Sequence, residues 1–127
     1  MEKQTGLDRR EFLKTAATVA VGAHLGVSAV NAQDGFRLRT ALVGCGGQGN
    51  VLLANAKRVP EIEMVAVCDI VEERRNATAQ RAGENVQAFT EWEEMLDSVE
   101  LDALIVAAPL HMHAPITIGA FERGLHV

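Results

Sequence analysis

The sequence predicts an α/β fold with a doubly wound parallel sheet, and three features carry that prediction. A short apolar segment leads into a glycine-rich loop at residues 44–49, and a helical segment follows at once. A second apolar segment ends in Asp69. Strand-like and helix-like segments then alternate to the end of the chain, which is typical of a parallel sheet with helices on both faces.

The glycine loop has the spacing of a dinucleotide-binding fingerprint. An apolar strand, Thr40 to Val43, precedes the loop, and a helix over 50–58 follows it. In the fingerprint, one glycine permits the turn, one lets backbone approach a diphosphate, and one lets the helix pack closely. The N–H groups at the helix start supply the anion site. The residues predicted to bind the cofactor here are Gly44, Cys45, Gly46, Gly47, Gln48 and Gly49.

The second predicted strand, Glu61 to Asp69, ends in a carboxylate twenty residues after Gly49. This offset is close to that of the acid that binds the cofactor ribose, so the unit is typical of a Rossmann-type fold. The carboxylate favours NAD, because it repels a 2′-phosphate, and NADP stays an alternative. Asp69 also stands three residues before Glu72, so a capping box at the next helix is a second interpretation of the same side chain.

The later elements continue the alternation. Thr90 to Glu93 has capping-box spacing, and Trp92 and Met95 are expected to pack inward from the helix that follows. The remaining predicted elements are a helix ending near Gly83, a strand at Val86 to Phe89, a helix to about Asp97, a strand at Leu101 to Ala107, a helix from Leu110 to about Arg123 capped by Gly124, and a fifth strand starting at His126.

The composition limits the class of protein. The 127 residues have room for one domain with an ordinary core. An apolar fraction of 48% and a charged fraction of 23% are those of a soluble globular chain rather than a disordered one. The net charge of -5 leaves no basic stripe for phosphates, so we expect no nucleic-acid partner.

Several reactive or charged side chains are predicted to have no chemical role. Two cysteines are too few for a disulfide scaffold and are expected to be small buried side chains. His111 and His113 are not completed by an acid or cysteine set, so no metal site is predicted. Arg74 and Arg75 are expected to be solvated helix charges.

Residues 1–32 are predicted to be a twin-arginine export signal. Arg9 and Arg10 precede an apolar run, Thr15 to Val30, and small residues follow at the cleavage position. The alternative is an amphipathic N-terminal helix or an uncleaved anchor. Export would make the protein periplasmic, with the twin-arginine machinery as a partner, and would leave residues 33–127 as an incomplete nucleotide-binding Rossmann domain.

Together, the motifs resemble those of the glucose-fructose oxidoreductase, inositol dehydrogenase and MocA-like (Gfo/Idh/MocA) oxidoreductases. The shared segments are Ala-Leu-Val-Gly-Cys-Gly-Gly-Gln-Gly at 41–49, Val-Cys-Asp at 67–69, the run ending in Ala-Ala-Pro-x-x-x-His at 101–113, and Ala-Phe-Glu-Arg-Gly-Leu-His-Val at 120–127. By that resemblance, Ala108, Pro109 and His113 line the cofactor and substrate pocket. Ala108 replaces the usual threonine, which implies a missing hydroxyl contact with the cofactor.

The resemblance implies hydride transfer between the nicotinamide and a sugar or cyclitol hydroxyl, with a proton acceptor on that hydroxyl. The family's Glu-Lys-Pro motif, with its catalytic lysine, would directly follow Val127, and a second α/β substrate domain would come later. We therefore expect a cofactor-binding front part that is inactive alone and has no catalytic residue. At full length we expect a homo-oligomer.

Other functions stay open at this point. One is a glycoside hydrolase of the same fold that retains NAD, and another is a non-catalytic nucleotide- or sugar-binding protein. A methyltransferase is disfavoured, because the apolar pair Leu42-Val43 precedes the loop and because Pro109 and His113 would have no role. The substrate and its stereochemistry are not encoded in these segments.

Overall fold

The structure is a computed structural model that describes residues 35–127, so the predicted signal at 1–32 lies outside the described residues. In the described part, a four-stranded parallel sheet is flanked by four helices. The elements in chain order are β1 (Leu38–Val43), α1 (Gly47–Ala56), β2 (Ile62–Cys68), α2 (Glu72–Ala82), β3 (Gln87–Phe89), α3 (Trp92–Ser98), β4 (Ala103–Val106) and α4 (Leu110–Glu122).

The strand order is β3-β2-β1-β4, and every neighbouring pair is parallel. The chain therefore runs outward from β1 to β3 and then crosses back to the other side of β1. Val43 aligns with Cys68 on one side and with Val106 on the other, so the carboxyl ends of the three strands lie at one edge. In open α/β sheets, ligands bind at that edge where the strand order reverses.

The sheet buries both faces, as a doubly wound fold requires. Successive strand residues point to opposite faces. On one face, Ala41 and Val43 pack with Met95 of α3 and Ile116 of α4, while on the other face Leu42 packs with helices α1 and α2. Met95 and Ile116 are fully buried, and each contributes about 2 kcal/mol of hydrophobic stabilisation. The predicted fold class is confirmed.

The end of the described chain adds a fifth strand position. His126 forms an isolated parallel bridge with Ala103, and the His126 carbonyl accepts a hydrogen bond from the N–H of Leu104 at 2.8 Å. Gly124, with φ +73, turns the chain out of α4 towards this edge. The predicted beginning of a strand at His126 is therefore present beside β4.

The helix starts differ from the sequence prediction. The capping box at Thr90 to Glu93 is wrong, because α3 begins at Trp92, its N-cap is Glu91, and no side chain caps it. This later start places Glu93 at the second helical position, where it cannot complete the box with Thr90. In the part of the chain that the structure describes, no helix is long and apolar enough to cross a membrane.

Candidate nucleotide-binding site

The predicted site residues from three separate parts of the chain meet at the carboxyl edge of the sheet. Residues 44–49 join β1 to α1, Asp69 follows β2, and residues 107–109 follow β4. These strands are adjacent, with β1 between the other two. The glycine loop therefore lies in the middle, with Asp69 on one side and the turn after β4 on the other.

Two of the loop glycines are required by the protein's own packing. Gly44 has φ +99, and a Cβ placed there would lie 2.5 Å from the carbonyl carbon of Ala107 and 2.7 Å from the nitrogen of Ala108. A Cβ on Gly49 would lie 1.8 Å from the carbonyl oxygen of Gly44. Gly44 therefore allows β1 to approach the turn after β4, and Gly49 allows α1 to sit directly on the loop.

No packing contact requires a glycine at position 46 or 47. A Cβ on either residue would meet nothing within 4 Å. The surrounding space is open, and the fingerprint leaves this position without a side chain so that a diphosphate can reach the backbone. The open space leaves room for a ligand, and no contact with the described residues requires a glycine at position 46.

The start of α1 offers a set of unpaired donors. The first turn of a helix lacks intrahelical partners for its N–H groups. Among residues 35–127, no acceptor contacts the backbone N–H of Gly46, Gly47, Gln48 or Gly49. The first turn contains no acidic side chain, so no residue of α1 itself neutralises the positive end of the helix dipole. This arrangement suits an anion such as a diphosphate.

Asp69 is bonded to the glycine loop. Its Oδ2 accepts the backbone N–H of Cys45 at 2.7 Å, and its Oδ1 accepts that of Val71 at 2.8 Å. The bond with Val71 turns the chain into α2, whose N-cap has no side-chain bond, so the predicted capping box with Glu72 does not form. A carboxylate has about four acceptor positions, so about two remain for the hydroxyls of a ribose.

Arg75 differs from its prediction as a solvated charge. Its side chain is half-buried, and its Nη1 donates to the backbone carbonyl of Asp69 at 2.8 Å. The first turn of α2 places the guanidinium over the end of β2. This contact was not predicted from the sequence. Arg74 is exposed, as expected.

The residues after β4 form the other side of the site. Pro109 is the exposed N-cap of α4, and His113, one turn into that helix, lies with its Nε2 2.7 Å from the carbonyl oxygen of Ala108. Because a carbonyl only accepts, the ring donates its Nε2 proton in this contact. His113 therefore holds the turn next to the glycine loop, and the exposed residues Pro109 and Leu110 face solvent there.

A polar cluster behind the loop was not predicted from the sequence. Asn50, the residue after the last glycine, donates from Nδ2 to the carbonyls of Cys45 and Gly46 at 3.0 and 2.9 Å. Its Oδ1 accepts from Thr78 at 3.2 Å and from Arg81 at 2.5 Å. The one sequence signal for this cluster is Thr78, a polar residue in the interior of a predicted helix. In the structure Thr78 is fully buried.

The two cysteines lie next to the site but are not reactive groups. Cys45 Sγ lies 3.6 Å from the carbonyl oxygen of Cys68, and the two side chains belong to core clusters on opposite faces of the sheet. Burial raises the pKa of Cys45 to about 11 and that of Cys68 to about 12. Both are free thiols. At neutral pH they are protonated, so they contribute packing.

Comparison with known proteins shows which family and which proteins this chain resembles. The family model described as an oxidoreductase family with an NAD-binding Rossmann fold, Gfo/Idh/MocA, matches residues 38–127. A glycosyl hydrolase family 109 protein of Stenotrophomonas maltophilia is 30% identical over an alignment 132 residues long, gaps included. The alignment covers 95% of this chain and 29% of the relative. An inositol 2-dehydrogenase of Rubrobacter xylanophilus is 33% identical over 91 residues, which cover 71% and 26%.

The solved structures agree with the fold. The WlbA dehydrogenase of Bordetella pertussis, crystallised with NADH and UDP-GlcNAcA, superposes with a TM-score of 0.66 at 29% identity. The superposition covers 72% of this chain and 28% of that protein. The chain therefore spans less than a third of the length of the relatives that it matches.

Proposed function

The chain belongs to the Gfo/Idh/MocA oxidoreductase family, and from that membership we propose that it holds NAD for hydride transfer to or from a sugar or cyclitol hydroxyl. The observation that carries the proposal is the set of unpaired N–H groups at the start of α1, beside the carboxylate of Asp69. An anion site and a hydroxyl acceptor at one sheet edge match the two polar parts of a dinucleotide.

Each part of the site has a distinct task in this proposal. The backbone of residues 46–49 binds the diphosphate, and Asp69 accepts hydrogen bonds from the adenosine ribose. Ala108, Pro109 and His113 flank the nicotinamide end. When bound, the nicotinamide supplies the hydride acceptor or donor. We assign no proton acceptor for the substrate hydroxyl to residues 35–127.

The proposal favours NAD over NADP because of charge. Asp69 faces the loop with a carboxylate, and a 2′-phosphate on the ribose would bring a second negative group to it. Arg75 is the half-buried cation nearby, but its Nη1 is bonded to the Asp69 carbonyl. A preference for NAD by at least about tenfold is the expected result of that repulsion.

The full-length protein provides the test. Titration with NAD and with NADP measures the affinity and the preference, and incubation with free sugars and cyclitols measures NADH formation. Binding of NAD together with net NADH from a free sugar or cyclitol supports the proposal. Absence of NAD binding contradicts it, and binding without any turnover supports a non-catalytic nucleotide-binding protein instead.

A second candidate function is a glycoside hydrolase that retains NAD, and one observation favours it. The glycosyl hydrolase family 109 protein aligns over 95% of this chain, whereas the inositol 2-dehydrogenase aligns over 71%. The longer alignment must include part of the stretch before residue 38. Cleavage of a glycoside without net NADH formation by the full-length protein would select this candidate.

We also propose export through the twin-arginine pathway, on the basis of Arg9 and Arg10 and the apolar run that follows. Fractionation of cells that express the full-length protein tests this. The wild type is expected in the periplasmic fraction. The Arg9→Lys/Arg10→Lys double variant is expected to be retained in the cytoplasm, and equal distribution of the two would contradict the proposal.

A further inference from the structure

Asn50 connects the glycine loop to the neighbouring helix α2. Its amide nitrogen contacts the carbonyl oxygens of Cys45 and Gly46, and its amide oxygen contacts the hydroxyl of Thr78 and the guanidinium of Arg81. Thr78 has no exposed surface. The side chain therefore lies between two carbonyls on one side and two donors on the other.

The orientation of this amide is dictated by its partners. Backbone carbonyls only accept hydrogen bonds, and a guanidinium only donates them. The nitrogen of the Asn50 amide must therefore face Cys45 and Gly46, and the oxygen must face Arg81. An aspartate at this position, with the same shape, would place a carboxylate oxygen against both carbonyls.

Holding these two carbonyls also sets the direction of two donors. The described chain contains no cis peptide bond, and in a trans peptide the carbonyl and the N–H point in opposite directions. The Cys45 carbonyl shares a peptide with the N–H of Gly46, and the Gly46 carbonyl shares one with the N–H of Gly47. When Asn50 holds the carbonyls, both N–H groups point away from its side chain, and neither has an acceptor among residues 35–127. The Gly46 carbonyl also accepts the backbone N–H of Asn50 at 3.0 Å, whereas the Cys45 carbonyl, among the described residues, accepts only from the Asn50 side chain.

We propose that Asn50 is a positioning residue for the cofactor diphosphate, which aims the N–H groups of Gly46 and Gly47 before the cofactor binds. Thr78 and Arg81 hold the amide in its working orientation. This inference rests on the proposed NAD binding. Because Asn50 acts through the peptide planes that it holds, its loss weakens affinity and leaves the chemical step unchanged.

The test compares variants of the full-length protein. Asn50→Asp and Asn50→Ala remove the two donors, and Thr78→Val removes one of the two bonds to the amide oxygen. Asn55→Asp and Asn55→Ala are matched controls, because Asn55 lies on the same helix and is exposed. The dissociation constant for NAD, KM for NAD and kcat at saturating NAD, and thermal unfolding without nucleotide are measured for each.

We expect Asn50→Asp to raise the dissociation constant and KM for NAD by at least about tenfold, and Asn50→Ala by about five- to tenfold, with kcat within about twofold of wild type. Thr78→Val is expected to raise the dissociation constant and KM for NAD by about two- to threefold, and the Asn55 variants are expected to leave both unchanged. A loss of affinity in Asn50→Ala, which adds no charge, separates positioning from the repulsion that the carboxylate of Asn50→Asp would add.

Three results would overturn the inference. One is folded Asn50 variants that bind NAD as tightly as wild type. Another is an equal loss in kcat and kcat/KM, which would place Asn50 in the chemical step. The third is failure of both Asn50 variants to fold while the Asn55 variants fold, which would make Asn50 a residue of fold stability. If wild type binds no NAD, the proposed function fails as well.

Discussion

The carboxylate of Asp69 accepts the backbone N–H of Cys45 at 2.7 Å, although 24 residues separate them in the chain. The bond joins the end of β2 to the glycine loop after β1. It orients the loop from one side, while Asn50 holds it from the other. The loop is therefore shaped by the protein before any nucleotide is present, which reduces the ordering that binding would require.

The Asp69→Asn substitution is expected to weaken NAD binding by about tenfold, because an amide presents one oxygen where the carboxylate presents two acceptors. It is also expected to lower the free energy of unfolding by about 1–3 kcal/mol, since two backbone N–H groups lose a charged partner. Calorimetric titration and denaturant unfolding measure the two effects. Glu73→Gln is the control, because Glu73 is exposed and its substitution also removes one negative charge. Unchanged NAD affinity would remove Asp69 from the site.

The loop glycines are expected to divide into two classes. Gly46→Ala should change the free energy of unfolding by less than about 1 kcal/mol, because its Cβ meets nothing, yet weaken NAD binding by at least about tenfold. Gly49→Ala should lower the free energy of unfolding by at least about 3 kcal/mol, because its Cβ would lie 1.8 Å from a backbone oxygen. Denaturant unfolding and NAD titration separate the classes. Tight NAD binding by Gly46→Ala would contradict the diphosphate assignment.

Cys45 and Cys68 are expected to resist alkylation in the native protein. Burial raises the pKa of Cys45 to about 11 and of Cys68 to about 12, and the thiolate is the form that reacts. Iodoacetamide at about pH 8, followed by peptide mass spectrometry, should label neither residue until denaturant is added. The denatured sample is the positive control. Rapid labelling of Cys45 in the native state would show that the loop opens.

Asp102 is expected to give the fold a pH-dependent contribution at the edge of the sheet opposite the site. Hydrogen bonds from the Arg39 side chain and backbone lower the pKa of Asp102 below its ordinary value. A lowered folded-state pKa stabilises the protein above the unfolded value, and that stabilisation is lost as pH falls through the folded value. Asp102→Asn should therefore be less stable at pH 7, with the difference closing below about pH 4.

Unfolding measured across pH for wild type and Asp102→Asn tests this expectation. Glu100→Gln is the control, because Glu100 also pairs with Arg39 but its side chain is 87% exposed. This control should follow the wild-type curve. A difference between wild type and Asp102→Asn that persists unchanged into acid would show that the ion pair is not its source.

Much of the fold was predictable from residue order alone, because its determinants are local and periodic. Each predicted helix and the first four predicted strands of residues 35–127 are present, with ends displaced by at most three residues. The fifth strand is represented by a single bridge at His126. The position of Asp69 beside the glycine loop also followed from the sequence, since adjacent parallel strands place their carboxyl ends together. The roles assigned to the ten site residues stay predictions, although the structure places their backbone at one edge of the sheet.

The contacts between elements depended on packing that residue order does not encode. The cluster of Asn50, Thr78 and Arg81 forms only when α2 docks beside α1 on one face of the sheet. The bond from Arg75 to Asp69 forms where the start of α2 lies over the end of β2. The start of α3 also differs from the predicted capping motif, because Glu91 is the N-cap and no side chain caps the helix. When two hydrogen-bonded side chains are 28 or more residues apart in the sequence, the packing of their helices against the sheet decides whether they meet. Spacing along a chain describes neighbours within one element and carries no such information.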